Sequence, residues 1–215
     1  MKQLLFTLIF FFSFLSFNYS QVEFGLTSGA QVSNLIYEIE SELEPTIQVF
    51  VNTQPRIDFF FGIFSKFRLS NKTNLALELD YSRKGFSQDL PLDRTYQYLL
   101  SYMELIPEIE FGLTENLFIG AGLSIATLVE KKSKDNEEAY QNLTDGFFKP
   151  FNLGIIGKVR YNIGKMYLFS RFNYGLLPII EFELADTQGE ENGNVSYKIW
   201  TAQLGVGYSI PYKKK

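Results

Sequence analysis

The chain has 215 residues and contains neither cysteine nor histidine. This composition excludes disulfide bonds, cysteine nucleophiles, serine–histidine catalysis and zinc sites built on cysteine or histidine. The formal net charge is −4, which argues against nucleic acid as a partner.

The N-terminal segment has the pattern of a secretory signal peptide. A charged start at Met1 and Lys2 precedes an almost wholly apolar run over 4–17, and polar residues follow. We expect residues 1–20 to be removed between Ser20 and Gln21, which leaves 21–215 as one domain. The alternative is a membrane anchor, but the run is shorter than the roughly 20 residues that a spanning helix needs.

Eight segments with strand character follow, and their connections are alternately long and short. In the clearest segment, Leu75 to Arg83, apolar and polar residues alternate, so the two faces differ in polarity. Tight periplasmic turns and longer external loops are typical of outer-membrane barrels. We predict strands at 22–32, 56–69, 74–85, 96–112, 117–129, 148–161, 166–177 and 197–210. Short turns are expected at 70–73, 113–116 and 162–165, and long loops at 33–55, 86–95, 130–147 and 178–196.

The placement of charges favours a membrane barrel. Of the 24 acidic residues, 16 lie in the four long loops, with only 4 of the 20 basic residues. The acidic residues within strands all have inward parity: Glu23, Asp58, Glu78, Asp80, Glu104, Glu108 and Glu110. A basic residue on the lipid face costs about 2–4 kcal/mol at mid-membrane, so charges should avoid that face. The sequence therefore predicts an all-β fold, an eight-stranded antiparallel up-and-down transmembrane β-barrel in the outer membrane.

Outward-facing residues predict where the membrane interfaces lie. Aromatic residues should form two girdles, an outer one of Phe151, Tyr174 and Trp200 and an inner one of Phe67, Phe111, Tyr161 and Tyr208. The outward-facing bases Arg83, Lys149 and Lys198 fall near outer strand ends, where long side chains can extend to the polar surface.

Several local patterns resemble the PorT-like outer-membrane β-barrel family, which is common in Bacteroidetes. The resemblance rests on LELDYSRKG (77–85), YMELIP (102–107), GAGLS (120–124), SRFNYGL (170–176) and LGVGYSIP (204–211). It implies an eight-stranded outer-membrane barrel but no single activity, although the name-giving member takes part in protein secretion. Two features depart from the family pattern. An extra residue before Pro107 suggests a bulge at Ile106, and the chain ends in three lysines, 213–215, instead of an aromatic residue.

Charged residues with inward parity form the candidate functional site. Opposite charges should meet across the interior, as a selective path, a gated plug or a structural ion-pair core. We favour the structural interpretation, because eight strands leave an interior just wide enough for side chains to fill. Carboxylate pairs such as Glu78 with Asp80 suggest acid–base catalysis, but same-face spacing on a strand produces them without any function. The candidates are Asp58, Lys66, Arg68, Glu78, Asp80, Glu104, Glu108, Glu110, Lys158, Arg160 and Arg171.

The acidic loops are a second candidate. Carboxylates suit Ca²⁺ or Mg²⁺, ions that also bridge lipopolysaccharide phosphates, although a solvated loop surface explains the same residues. The acidic residues of the first and last long loops are Glu38, Glu40, Glu42 and Glu44, and Glu181, Glu183, Asp186, Glu190 and Glu191.

The sequence thus favours a monomeric, cofactor-free, non-enzymatic barrel surrounded by outer-membrane lipid and lipopolysaccharide. Its expected role is structural or in binding, through acidic extracellular loops. The alternatives are a narrow channel for small solutes or ions, a component of a secretion or surface-assembly system, a membrane enzyme acting on lipid, and a soluble lipocalin-like periplasmic binding barrel.

Overall fold

The computed structural model describes residues 22–41, 53–90, 94–136, 138–143, 146–185 and 191–211. The predicted signal peptide and the C-terminal lysines lie outside these residues. The strands are β1 (Val22–Ser41), β2 (Thr53–Arg68), β3 (Thr73–Leu90), β4 (Arg94–Gly112), β5 (Leu117–Asp135), β6 (Gln141–Asn142), β7 (Phe151–Ile163), β8 (Met166–Gly175), β9 (Ile180–Ala185) and β10 (Glu191–Pro211). Among the described residues, no helix is long and apolar enough to cross a membrane.

Eight of these strands close into an antiparallel ring. They pair in the order β1, β2, β3, β4, β5, β7, β8 and β10, and β10 pairs with β1 from Glu23↔Pro211 to Ser41↔Gly193. Closure removes the sheet edges that would otherwise expose unpaired backbone groups. The predicted eight-stranded up-and-down barrel is confirmed. The short strands β6 and β9 were not predicted, and they extend the sheet beside β5 and β10.

The barrel is apolar on its outside and polar within. Leu26 and Phe61 point outward and are 57% and 52% exposed, whereas the inward Glu78 and Asp80 are each 1% exposed. Alternation along each strand produces this arrangement, because successive side chains point to opposite faces. A soluble barrel has the opposite distribution, so the lipocalin-like alternative is wrong.

The turns at one end are as short as predicted. The β7–β8 connection has two residues, Gly164 and Lys165, and Gly164 has a φ of 65°, which suits glycine in a tight hairpin turn. At the opposite end the predicted long loops are wrong in extent, because much of them is strand. Extended chain covers 33–41, 53–55, 86–90, 94–95, 130–135, 180–185 and 191–196.

These strand extensions enclose an apolar core at the long-loop end of the barrel, which the loop pattern predicts to be the extracellular end. Its buried residues are Leu35, Phe86, Leu100, Tyr102, Ala126, Phe148, Ile179, Ile180, Val195, Tyr197 and Ile199. We call this set the extracellular core. This core explains why segments predicted as loops form strands, because their apolar residues are removed from water where the strands continue past the membrane.

The ladders of the eight-stranded ring are interrupted at three places. The register of β4 with β5 is the same on both sides of Ile106 and Pro107, so the bulge predicted at Ile106 is wrong. Pairing only lapses there, beside a proline that has no N–H to donate. The register shift of this ladder lies between Ser101 and Tyr102 instead, and the β2–β3 ladder shifts between Pro55 and Phe60.

Candidate functional site

Arg171 of β8 is the centre of the charged lumen. It donates from Nη1 to Glu78 Oε2 (2.7 Å), from Nη2 to Asp80 Oδ2 (2.5 Å) and from Nε to Gln203 Oε1 (2.5 Å). Glu78 and Asp80 lie on β3, across the barrel from β8, so the predicted meeting of opposite charges across the interior occurs here. The guanidinium matches two carboxylates at once through its planar fork of donors.

Lys158 and Arg160 of β7 continue this network toward the short-turn end. Lys158 Nζ donates to Glu78 and lies 3.4 Å from Glu108 Oε2 and 3.8 Å from Glu110 Oε1. Arg160 Nη2 donates to Glu110 Oε2 at 2.8 Å. Seven of the predicted candidates therefore form one connected network: Glu78, Asp80, Glu108, Glu110, Lys158, Arg160 and Arg171.

Glu104 has a partner that the sequence analysis missed. Lys84 Nζ lies 2.8 Å from Glu104 Oε1, and Ser124 Oγ donates to Glu104 Oε2 at 2.7 Å. Lys84 is 1% exposed. The sequence could have predicted this inward lysine, because Lys84 has the same strand parity as Glu78 and Asp80.

The other candidates lie at the ends of the lumen. Lys66 is buried and its Nζ is 3.4 Å from Glu23 Oε2 near the short-turn end, where Arg68 is exposed. Asp58 lies toward the extracellular end, with its Oδ2 2.5 Å from Arg56 Nε. Asp58 and Lys66 thus form their ion pairs with residues outside the central network, and Arg68 is exposed at the end of the barrel.

Charge is balanced within the buried interior. Five carboxylates (Glu78, Asp80, Glu104, Glu108 and Glu110) and five cations (Lys66, Lys84, Lys158, Arg160 and Arg171) are each at most 4% exposed. Taking charges out of water costs several kcal/mol per ion, and only close pairing and hydrogen bonding offset that cost. The equal numbers and short contacts supply this compensation.

Aromatic side chains fill much of the remaining lumen. Phe60, Phe64, Tyr167 and Phe169 form a buried cluster. Gly205 makes room for it, because a Cβ there would lie 2.6 Å from Phe169 Cζ and 2.8 Å from Phe60 Cζ. The inward glycine therefore makes room for a large inward ring on the neighbouring strand, since Gly205 pairs with Phe169.

The outward bases form ion pairs at the extracellular rim. Lys198 Nζ lies 2.6 Å from Glu38 Oε2, and Lys149 pairs with Glu181. On the strand extensions, hydrogen bonding from Lys132 lowers the pKa of Glu130 from its ordinary value. Hydrogen bonding from Arg94 likewise holds the pKa of Asp135 below its usual range.

The predicted divalent-cation site remains a prediction. Within the described ranges, no group of three or more histidine, cysteine or acidic residues could hold a metal ion. The side chains of several loop acids are outside the described structure, namely Glu40, Glu42, Glu44, Glu183, Asp186, Glu190 and Glu191.

Comparison with known proteins places the chain in a family. The model of the outer membrane protein beta-barrel domain matches residues 13–181, and the chain belongs to that family. The closed barrel with an apolar outer surface therefore lies in the outer membrane. No curated protein matches the chain significantly.

Three solved outer-membrane proteins have similar folds at low sequence identity. OprG from Pseudomonas aeruginosa is 12% identical, with 90% of this chain and 98% of OprG covered and a TM-score of 0.45. Neisserial surface protein A is 13% identical, with 89% and 97% covered and a TM-score of 0.43. Ail from Yersinia pestis is 11% identical, with 87% and 98% covered and a TM-score of 0.44.

Proposed function

We propose that this outer-membrane barrel is non-conducting and non-enzymatic, and that it has a structural or binding role carried by its extracellular part. The observation that carries the proposal is the filled lumen. Charged groups that would have to line a pore are instead paired with one another, as Arg171 is with Glu78 and Asp80.

The extracellular core supports the same proposal. Phe148 and Ile180 are 3% and 0% exposed and lie in the apolar cluster above the ion pairs. An ion entering from outside would have to give up its hydration water in this apolar layer. The free-energy cost is high, because the layer offers no polar groups to replace that water. The ion-pair network of the lumen and the extracellular core thus both block the path of an ion through the barrel.

The inaccessibility of the lumen carboxylates supports a role without enzymatic activity. Glu78, Glu108 and Glu110 are each 1% exposed and hold their oxygens against Lys158 or Arg160. A general acid or base must reach its substrate within hydrogen-bond distance, and these carboxylates are directed into the lumen. A change in the lipid profile of cells that lack the gene would contradict this part of the proposal.

Three finer assignments belong to the same proposal. We propose that the chain is a PorT-like member from a bacterium of the Bacteroidetes, that residues 1–20 are a signal peptide, and that divalent cations bind the acidic loops. The five local motifs support the first and the apolar run over 4–17 supports the second. The mass of the mature protein tests the cleavage, with Gln21 as the expected first residue.

Planar-bilayer recording tests the filled lumen. Purified wild-type protein should show no discrete conductance steps in a bilayer where a general porin, used as the positive control, gives clear steps. The variant Arg171→Ala should be silent too, because the extracellular core is untouched by that change. Discrete steps in the wild type that change in Arg171→Ala would contradict the proposal and favour the narrow channel.

A further inference from the structure

The central lumen holds one more carboxylate than it has cations to pair with them. The equal count of buried acids and bases includes Lys66, but Lys66 is paired with Glu23, whose side chain is 35% exposed. Four buried cations therefore remain for five buried carboxylates. The cations are Lys84, Lys158, Arg160 and Arg171, and the carboxylates are Glu78, Asp80, Glu104, Glu108 and Glu110. If all of them were ionised, one negative charge would have no counter-charge.

Glu108 is the carboxylate of this group with the most distant cation. Each of the other four has an oxygen within 2.8 Å of an arginine or lysine nitrogen. The ion pair of Glu108 is longer, with Oε2 3.4 Å from Lys158 Nζ. Lys158 is also shared, because it donates to Glu78 and lies 3.8 Å from Glu110 Oε1. The attraction that could keep Glu108 ionised is therefore weaker than for its neighbours.

The second oxygen of Glu108 is buried without a hydrogen-bond partner among the described residues. This oxygen, Oε1, fills the space beside Gly120 that a Cβ would otherwise occupy. The residue is 1% exposed, so bulk water does not reach it. An ionised carboxylate that is buried without full pairing costs so much free energy that such a group takes up a proton instead. The geometry therefore favours a neutral carboxylic acid at this position.

The strands around Glu108 do not supply the missing positive charge. The charged groups that act on it are Glu78 on β3, Glu110 on β4, Lys158 on β7 and Arg171 on β8. The other neighbouring strand, β5, places Gly122 opposite Glu108 and Gly120 opposite Glu110. Arg171 is already engaged by two other carboxylates. Close carboxylates that share their cations do not all stay ionised, because like charges disfavour the ionised form.

We propose that Glu108 binds a proton at neutral pH and is a neutral carboxylic acid in the folded barrel. The central lumen then holds four carboxylates and four cations, so its charges cancel. A proton on Oε1 makes this atom a donor. Glu110 Oε1, on the same face of β4, is a buried acceptor that also lacks a hydrogen-bond partner within the described ranges.

This proton links folding to pH. A glutamate of the unfolded chain is ionised above about pH 5, so folding takes up one proton at Glu108. Because the folded state binds more protons than the unfolded state, stability falls as the pH rises. Between about pH 5.5 and 7, this group alone should raise the equilibrium constant for unfolding about tenfold per pH unit. The proposal goes beyond the function proposed above, and a non-conducting barrel is compatible with either state of Glu108.

Carbon-13 NMR of the glutamate side-chain carboxyl groups tests the proposal directly. The purified full chain, labelled at these carbons, should give one signal of a neutral carboxylic acid at pH 7. This signal should be absent from Glu108→Gln. It should be retained in the control Glu115→Gln, because Glu115 is exposed in the turn between β4 and β5. The proposal is overturned if no glutamate carboxyl is neutral at pH 7, or if the neutral signal survives in Glu108→Gln.

Urea-dependent unfolding in lipid vesicles gives a second test. Glu108→Gln replaces a neutral acid by a neutral amide, so it should be at least as stable as the wild type at pH 7 and should lose the pH dependence assigned to Glu108. Glu104→Gln is the contrasting variant on the same face of β4, because it leaves Lys84 buried without its carboxylate. It should raise the equilibrium constant for unfolding at least about tenfold.

Three outcomes of the unfolding experiment contradict the proposal. Equal destabilisation by Glu108→Gln and Glu104→Gln would show that Glu108 is an ionised partner of Lys158. A Glu108→Gln chain that does not fold would show the same. A wild-type stability that depends on the sodium concentration but not on pH would assign a metal cation to the site in place of the proton.

Discussion

At the scale of single residues, Arg171 links the charged and polar groups of the lumen. Its guanidinium contacts two carboxylates and the amide oxygen of Gln203, and Gln203 Nε2 in turn donates to Gln31 Oε1 at 2.7 Å. Arg171 therefore joins β3, β8 and β10 directly, and Gln203 extends the connection to β1. Buried ion pairs are weak evidence of net stability, but the loss of one partner is costly because the other charge stays buried.

We predict that Arg171→Met destabilises the folded barrel by about 3–5 kcal/mol, because Glu78 and Asp80 lose their shared cation. Urea-dependent unfolding in lipid vesicles measures the free energy. The control is Arg68→Gln, since Arg68 is exposed at the barrel end, and its cost should be within about 0.5 kcal/mol. Equal stabilities of the two variants would show that Arg171 is dispensable.

At the scale of strands, the gap in the β2–β3 ladder is repaired by side chains of β1. Between Pro55 and Phe60 the β2–β3 pairing lapses. Ser33 Oγ donates to Gly85 O and accepts from Gly85 N, both at 2.8 Å, and Gln31 Nε2 donates to Arg83 O. Backbone groups of β3 that have no partner on β2 are thus hydrogen-bonded by side chains of β1, two strands away.

We predict that Ser33→Ala lowers the free energy of unfolding by about 1–3 kcal/mol, because a buried N–H and C=O lose their partner. The Gly85 amide should exchange with solvent faster, which NMR hydrogen exchange resolves. Ser28→Ala is the matched control, as Ser28 is exposed on the outer face of the same strand. If Gly85 keeps its protection in Ser33→Ala, the repair of the ladder by β1 is the wrong explanation.

Strand parity predicted the membrane part of the fold because only one face of each strand there is buried in protein. It identified the seven residues of the central network, and the same rule applied to Lys84 would have found the Glu104 pair. The extension of β5 over 130–135 escaped prediction because it is polar throughout and every residue in it is half-buried, so its two faces do not differ. Alternation disappears under such burial, so the sequence resembles a loop.

At the scale of the molecule, two layers of different chemistry are stacked along the barrel axis. The membrane layer is held by ion pairs around Arg171 and Lys158, and the extracellular layer is held by the extracellular core. The ring of strands passes through both layers, but the side chains that stabilise each layer are separate. Local opening of one layer therefore does not require opening of the other.

Ile180→Ala tests this independence. Ile180 is fully buried in the extracellular core, so its truncation should cost about 2–5 kcal/mol through lost burial and a residual cavity. We expect faster hydrogen exchange in the extensions of β1, β4 and β10, while amides of the membrane layer remain protected. Ile155→Ala removes an equal volume from the lipid face, where Ile155 is 48% exposed, and should spare both layers. Equal acceleration of exchange in both layers by Ile180→Ala would mean that the barrel opens as one cooperative unit, with the extracellular core contributing to the stability of the membrane strands.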